Sequence, residues 1–236
     1  NKIGFNKVDK LVKQSNLFSK PLFHFLLIIT ICSIVYSNTL EVPFVFDDKP
    51  VIVENPIIRD LGYMVNPSEA KVHNGHFEYE SFRHRYIGYL TFALNYWIHK
   101  LDVTGYHLVN LAIHILNGLI VYWLVILTFR TPFLNSSNLK GCLNEIALFA
   151  SLLFACHPLQ TQAVTYIWQR VTSLSVTFYG LSLVLYILWR LTSKKTSSFA
   201  FQMPILFYLG SVISAVLAMK TKEIAFTLPV VIFLYE

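Results

Sequence analysis

Long apolar runs leave a chain few ways to fold. A hydrocarbon layer about 30 Å thick is crossed by a helix of about 20 apolar residues. Six stretches of this sequence approach that pattern: Leu22–Leu40, Tyr106–Phe129, Glu145–His157, Val171–Trp189, Phe201–Met219, and a last one from Ile224 to the end. The third is short unless the turn after it contributes. Charged residues make up only 14% of the 236, against about 25% in an ordinary soluble domain. Mean hydropathy is +0.53. So much apolar surface does not hide in a soluble core of this size, and a disordered chain needs the opposite balance. The expected fold class is an all-α integral membrane protein, a multi-pass helical bundle with about six spans.

Lys and Arg gather in cytoplasmic loops. Lys2, Lys7, Lys10, Lys13 and Lys20 precede the first run. Arg130 and Lys140 follow the second, and Arg190, Lys194 and Lys195 follow the fourth. These groups fall on one side, so residues 1–21 read as a cytoplasmic basic tail and 22–236 as the membrane domain. The first run lacks a small-residue cleavage site, which favours a retained anchor over a signal peptide. The net charge of +6 is accounted for by this tail and these loops, and no nucleic-acid partner is expected. The chain opens on Asn1 and stops at Glu236 beside an apolar run, which reads as a segment of a longer protein. Asn135-Ser136-Ser137 matches a glycosylation sequon, but this topology puts it in the cytoplasm.

Residues 41–105 then form a large external loop without a helix-length apolar run. Its segment Tyr86–Leu101 is aromatic and amphipathic, as in a helix lying at the interface. Cys32, Cys142 and Cys156 form no CxxC pair and read as small apolar residues. His73, His76 and His84 are too loosely spaced for a metal site, and His107 and His114 read as hydrogen-bonding or packing residues inside the second span. No nucleotide-binding or serine-hydrolase motif occurs.

Ionisable groups near membrane depth tend to mark function. Here they share the external side. Asp47 and Asp48 follow the first run, Arg83, His84 and Arg85 precede the interfacial helix, His157 to Arg170 follow the third run, and Lys220, Lys222 and Glu223 follow the fifth. Paired carboxylates can take the proton of an attacking hydroxyl, and one of them can hold a divalent cation, Mg or Mn. The plain alternative is a solvated turn capped by an Asp. Arg83, Arg85, Arg170, Lys220 and Lys222 can hold a phosphate, with head-group contact as the alternative for the exposed ones. Tyr86, Tyr89, Tyr166 and Trp168 can stack on a sugar, though no spacing singles one out.

Four segments in order, FVFDDKPVIVENP, HRYIGYLTFALNYWIHKLDVTGYHLVNLAIHILNGLIVY, LFACHPLQTQAVTYIWQRVTSLSVTFYGLSLVLY and LAMKTKEIAFTLPVVIFLYE, resemble one family. It is the transmembrane O-mannosyltransferases with C-terminal tetratricopeptide repeats, in wording closer to their bacterial relatives. The resemblance covers about 40–236. It implies a type-C glycosyltransferase (GT-C) fold that uses polyprenyl-phosphate-linked sugars and inverts the sugar C1. Asp47 becomes the general base, with Asp48 assisting. His157, Gln160, Gln162, Arg170, Lys222 and Glu223 frame the lipid phosphate. The implied partners are membrane lipids, the lipid-linked sugar, a protein or glycan acceptor, and other membrane subunits. The implied location is a bacterial inner membrane, or the endoplasmic reticulum in a eukaryote. Two departures stand out: Arg85 is followed by Tyr86 where relatives often carry Pro, and Gln162 replaces a frequent Glu. Two rivals stay open on the sequence: a non-catalytic scaffold subunit on the same fold, and a transporter.

Overall fold

The computed structural model describes residues 20–73, 75–193 and 202–236. The basic tail, apart from its last two residues, and the lysines at 194 and 195 lie outside that range. Among the described residues every regular element is helical.

Helix α1, Pro21–Val35, opens on proline, whose fixed φ suits a first helical position and whose missing N–H is no loss there. Short pieces follow: a 3-10 turn Ser37–Thr39, a π turn Lys49–Val53, a 3-10 turn Pro56–Arg59, and helices α2 (Gly62–Val65), α3 (Pro67–His73) and α4 (His76–His84). Helix α5, Tyr86–His99, coincides with the aromatic, amphipathic segment and begins at Tyr86 without the proline. Lys100 closes it at φ 52°. Asp102 caps α6, Val103–Thr128, by accepting from the Thr104 N–H at 3.0 Å.

At about 1.5 Å per residue, the 26 residues of α6 exceed a bilayer core. The stretch Ile167–Ser193 also does so; it runs from a 3-10 turn, Ile167–Gln169, into α9, Arg170–Ser193. These two are the candidate membrane spans by length and composition. The other apolar helices are shorter: α1, α7 (Leu143–Ala155), α10 (Gln202–Met219) and α11 (Leu228–Tyr235). Between α7 and α9 the chain turns at His157-Pro158 and makes the short helix α8, Gln160–Thr165.

Helix α9 packs along α6 and α10, and α7 packs on α6. Buried polar groups stitch these helices, as expected where water cannot satisfy them. Asn117 donates to the Ser173 carbonyl at 3.0 Å and accepts from Thr177 at 2.7 Å. His114 donates to the Ala155 carbonyl at 2.9 Å, and Tyr36 donates to the same oxygen. Ser182 and Ser211 bond each other's carbonyl groups at 2.9 Å. A second core lies under the loop 41–105. There Ile52, Ile57, Phe82, Tyr89 and Phe92 pack against Tyr106, Ile167 and Val171. The ends of α6 and α9 that carry Arg130 and Arg190 line one common cleft, so the two arginines assigned to the cytoplasmic side share one end of the bundle.

Gly180 lets α9 touch α6 backbone to side chain: a Cβ there would lie 2.6 Å from Ile120 Cγ2. Gly180→Val should force the helices apart and destabilise the bundle by about 1–3 kcal/mol. Thermal unfolding of the full-length protein in detergent reads this as a lower melting temperature. Gly141→Ala, where a Cβ meets nothing within 4 Å, should leave the melt unchanged.

Candidate active site

The site is built where the loop 41–105 meets the turn that enters α9. The loop is fixed to the bundle at several points. Inside α6, His107 donates from Nε2 to the Val42 carbonyl at 2.8 Å. Phe44 packs edge-on against Tyr106 at 5.3 Å between ring centroids. Next comes a tight turn in which the Asp48 N–H donates to the Val45 carbonyl at 2.9 Å. The same turn holds Phe46 at φ 46°, a left-handed conformation that costs a non-glycine residue about 1–2 kcal/mol. Its ring is 83% exposed, so ring burial does not repay the strain. Strain that surrounding bonds enforce is often found at functional sites.

The turn sends its two carboxylates in opposite directions. Asp48 is fully buried. One of its oxygens accepts from the Val45 N–H at 3.0 Å and the other from the Trp168 N–H at 2.8 Å. It therefore caps the N-terminus of the Ile167–Ser193 stretch, where the helix dipole favours an anion. Desolvation pushes its carboxyl above the ordinary carboxylate range, while the N–H groups of Val45, Trp168 and Ile167 and the charge on His107 pull it back. Asp47 stays exposed. Its Oδ2 accepts from the Tyr166 hydroxyl at 2.8 Å, and its N–H donates to that hydroxyl's oxygen at 3.2 Å. Desolvation first, then the bond to Asp47, pushes the Tyr166 phenol up to about 12. Tyr166 therefore keeps its proton throughout the physiological range and holds the Asp47 carboxylate by one fixed bond.

Trp168 links Asp48 to a cation. Its N–H serves Asp48, and its ring lies 5.9 Å from the Arg85 guanidinium. Arg85 also faces Glu223 at 3.6 Å. Beside Glu223, the Lys222 ammonium donates to the Thr172 hydroxyl at 2.6 Å. Desolvation and then the charge on Arg85 push the Lys222 ammonium below its ordinary range, and Glu223 partly offsets this.

Other expected phosphate ligands lie elsewhere. Arg83 is exposed and faces Glu80 at 3.8 Å. No contact among the described residues ties it to Arg85 and Lys222. His157 is exposed at the head of its turn, where Nδ1 accepts from the Leu159 N–H at 3.2 Å. Arg170 needs the clearest correction. It is fully buried rather than open to a ligand. It donates to Asn110 Oδ1 at 2.8 Å, to the Tyr106 carbonyl at 2.9 Å and to the Thr91 carbonyl at 3.4 Å, and it lies 4.5 Å from the Phe92 ring centroid. Its fork is filled by this chain's own acceptors, and its evident role is to lock α5, α6 and α9 together.

Gln160 and Gln162 line a groove that Gln169 and Thr172 also line. The divalent cation fits poorly: both Asp48 oxygens are taken by backbone N–H groups, and among the described residues no three His, Cys, Asp or Glu side chains converge. Tyr166, Trp168 and Thr172 carry more of the site than their spacing reveals. The signal was present only as two aromatics crowded before a buried arginine in TYIWQR.

Comparison with known proteins adds one decisive observation. The chain is 32% identical over 176 residues to the Drosophila melanogaster protein O-mannosyl-transferase Tmtc3, covering 68% of this chain and 18% of that protein. A Caenorhabditis elegans protein of the same class is 33% identical over 183 residues, 72% of this chain and 24% of that one. Human protein O-mannosyl-transferase TMTC1 is 28% identical over 206 residues, 85% of this chain and 22% of that one. Its homologues are protein O-mannosyl-transferases by name. The chain thus spans about a fifth of the length of the curated relatives it matches. No protein-family profile matches the chain, and no solved structure does. These three relatives are animal proteins, whereas the motif wording pointed toward bacterial ones.

Proposed function

We propose that this chain is the catalytic membrane segment of a protein O-mannosyltransferase of GT-C type. On this reading α1, α6, α7, α9, α10 and α11 are its six membrane helices, the N-terminus is cytoplasmic and the Asp47 face is external. The animal relatives favour the endoplasmic reticulum over a bacterial inner membrane. The carrying observation is one exposed carboxylate, Asp47, fixed by Tyr166, with two cations held along the same stretch, Arg85 over the Trp168 ring and Lys222 on the Thr172 hydroxyl.

In the proposed reaction a protein hydroxyl loses its proton to Asp47 as its oxygen attacks C1 of the sugar. The bond from C1 to the lipid-phosphate oxygen breaks, and its electron pair leaves with the phosphate. Arg85 and Lys222 stabilise the charge that develops there. Attack opposite the leaving group inverts C1. Asp48 serves by position, holding the turn against α9. The openness of Asp47 to solvent favours this reading over a scaffold subunit.

The test uses the full-length protein in nanodiscs, supplied with radiolabelled polyprenyl-phosphate mannose and acceptor protein. Transfer to the acceptor with release of lipid phosphate supports the proposal; a folded sample without turnover overturns it. Tyr166→Phe should lower kcat about tenfold, because the carboxylate loses its fixed bond and with it the near-attack geometry. The KM for the acceptor should hold. An unchanged kcat would remove Tyr166 from the mechanism.

A further inference from the structure

We propose that the groove beside the turn 160–172 holds the neutral, hydroxyl-rich ring of the donor sugar, while the phosphate sits at its rim. This rests on the glycosyl-transfer reading above. The groove has a volume of about 230 Å³, below the range of drug-sized sites, so it suits a single ring rather than an oligosaccharide.

Its chemistry is that of a polyol site. The inner wall carries His114, Asn117 and Ser173, whose bonds are already made within the bundle. The side-chain amides of Gln160 and Gln162 have no hydrogen-bond partner among the described residues, yet both line the groove. Gln169 is oriented: its Oε1 accepts from the Thr172 hydroxyl at 2.7 Å, which leaves its NH₂ to donate to a ligand. An amide pairs a donor with an acceptor, as vicinal hydroxyls require. Among the described residues no Asp, Glu, Lys or Arg lines the groove, so a charged ligand finds no counter-charge from them inside it.

The cation lies at the edge. Thr172, a wall residue, accepts from the Lys222 ammonium at 2.6 Å, and Arg85 lies next to Glu223. Along the same segment, Tyr166 and Trp168 hold Asp47 and Asp48. One short segment thus carries both the residues that hold the acids and the amides that line the groove. The outer lip is apolar, with Leu159 78% and Val176 45% exposed, as suits an amphiphilic ligand.

The experiment measures equilibrium binding of two probes to the full-length protein in nanodiscs: a short-chain polyprenyl-phosphate mannose, and the same lipid phosphate without sugar. Wild type should bind the mannosylated probe more tightly. Gln162→Ala and Gln169→Leu should each weaken that probe by up to about tenfold, with binding of the bare lipid phosphate held. Lys222→Ala should weaken both probes. If the two Gln variants keep the preference for the sugar or lose both probes alike, or if wild type shows no preference, the groove assignment falls and the donor reading stands on its own assay. If wild type binds neither probe, the donor reading falls first and takes the groove with it.

Discussion

Asp47→Asn should lower mannosyl transfer by about two to four orders of magnitude while the protein folds as before. The magnitude is that of losing a positioned general base. The fold should survive because Asp47 is exposed and its principal tertiary bonds run to the Tyr166 hydroxyl. An Asn Oδ1 accepts the same hydroxyl proton, and the backbone N–H still donates to it. What the amide lacks is basicity, so the attacking hydroxyl keeps its proton at the moment it needs to lose it. The measurement is single-turnover transfer from the lipid-linked sugar, with a melting curve beside it. Full activity in a folded variant would exclude Asp47 as the base and return Asp48 to consideration. Asp48→Asn provides the contrast. It puts an NH₂ or a weaker acceptor against two N–H groups in a buried place, so its damage should appear in the melt as well as in the rate.

The difference between these neighbours shows where sequence reading reaches its limit. The pair Asp47-Asp48, placed directly after the first apolar run, is visible in the sequence. Which of the two is open is not. That depends on the tight turn at Phe46 and on the chain returning 120 residues later to offer the Trp168 N–H. The long helices were legible because a run of apolar residues dictates them locally. Helix α6 falls within three residues of its expected bounds, and α5 begins at Tyr86 as expected. The cations were harder. Lys, Arg and His near membrane depth all look alike in a sequence. Only tertiary neighbours separate Arg85 over Trp168 from Arg83 facing Glu80 in solvent. Gln162 read as a weakened site because a carboxylate was missing; in the structure its uncharged amide is part of a neutral wall.

Arg170→Met should cost about 3–5 kcal/mol of stability, the range found when one member of a buried charged network is removed. Arg170 has no exposed surface, and its three nitrogens serve three acceptors on two other helices: Thr91 in α5, Tyr106 and Asn110 in α6. Removing the fork leaves those oxygens buried without their donor and lets the helices slip. It also takes away a positive charge that acts on Asp48. Asn110 is bound up in the same network. Its NH₂ contacts the carbonyl groups of Val164, Tyr166 and Ile167 at 3.4–3.5 Å, so loosening it disturbs the turn that holds Asp47. Arg170→Lys distinguishes this account from a phosphate-binding role. A lysine carries the charge but not the planar fork with its fixed directions. If Arg170 locks the bundle, Arg170→Lys should melt well below wild type. If Arg170 is instead a ligand of the lipid phosphate, the same variant should melt normally and lose affinity for the bare lipid phosphate. A normal melt with weakened phosphate binding would overturn the structural role assigned here and require the bundle to open at α5 during the reaction.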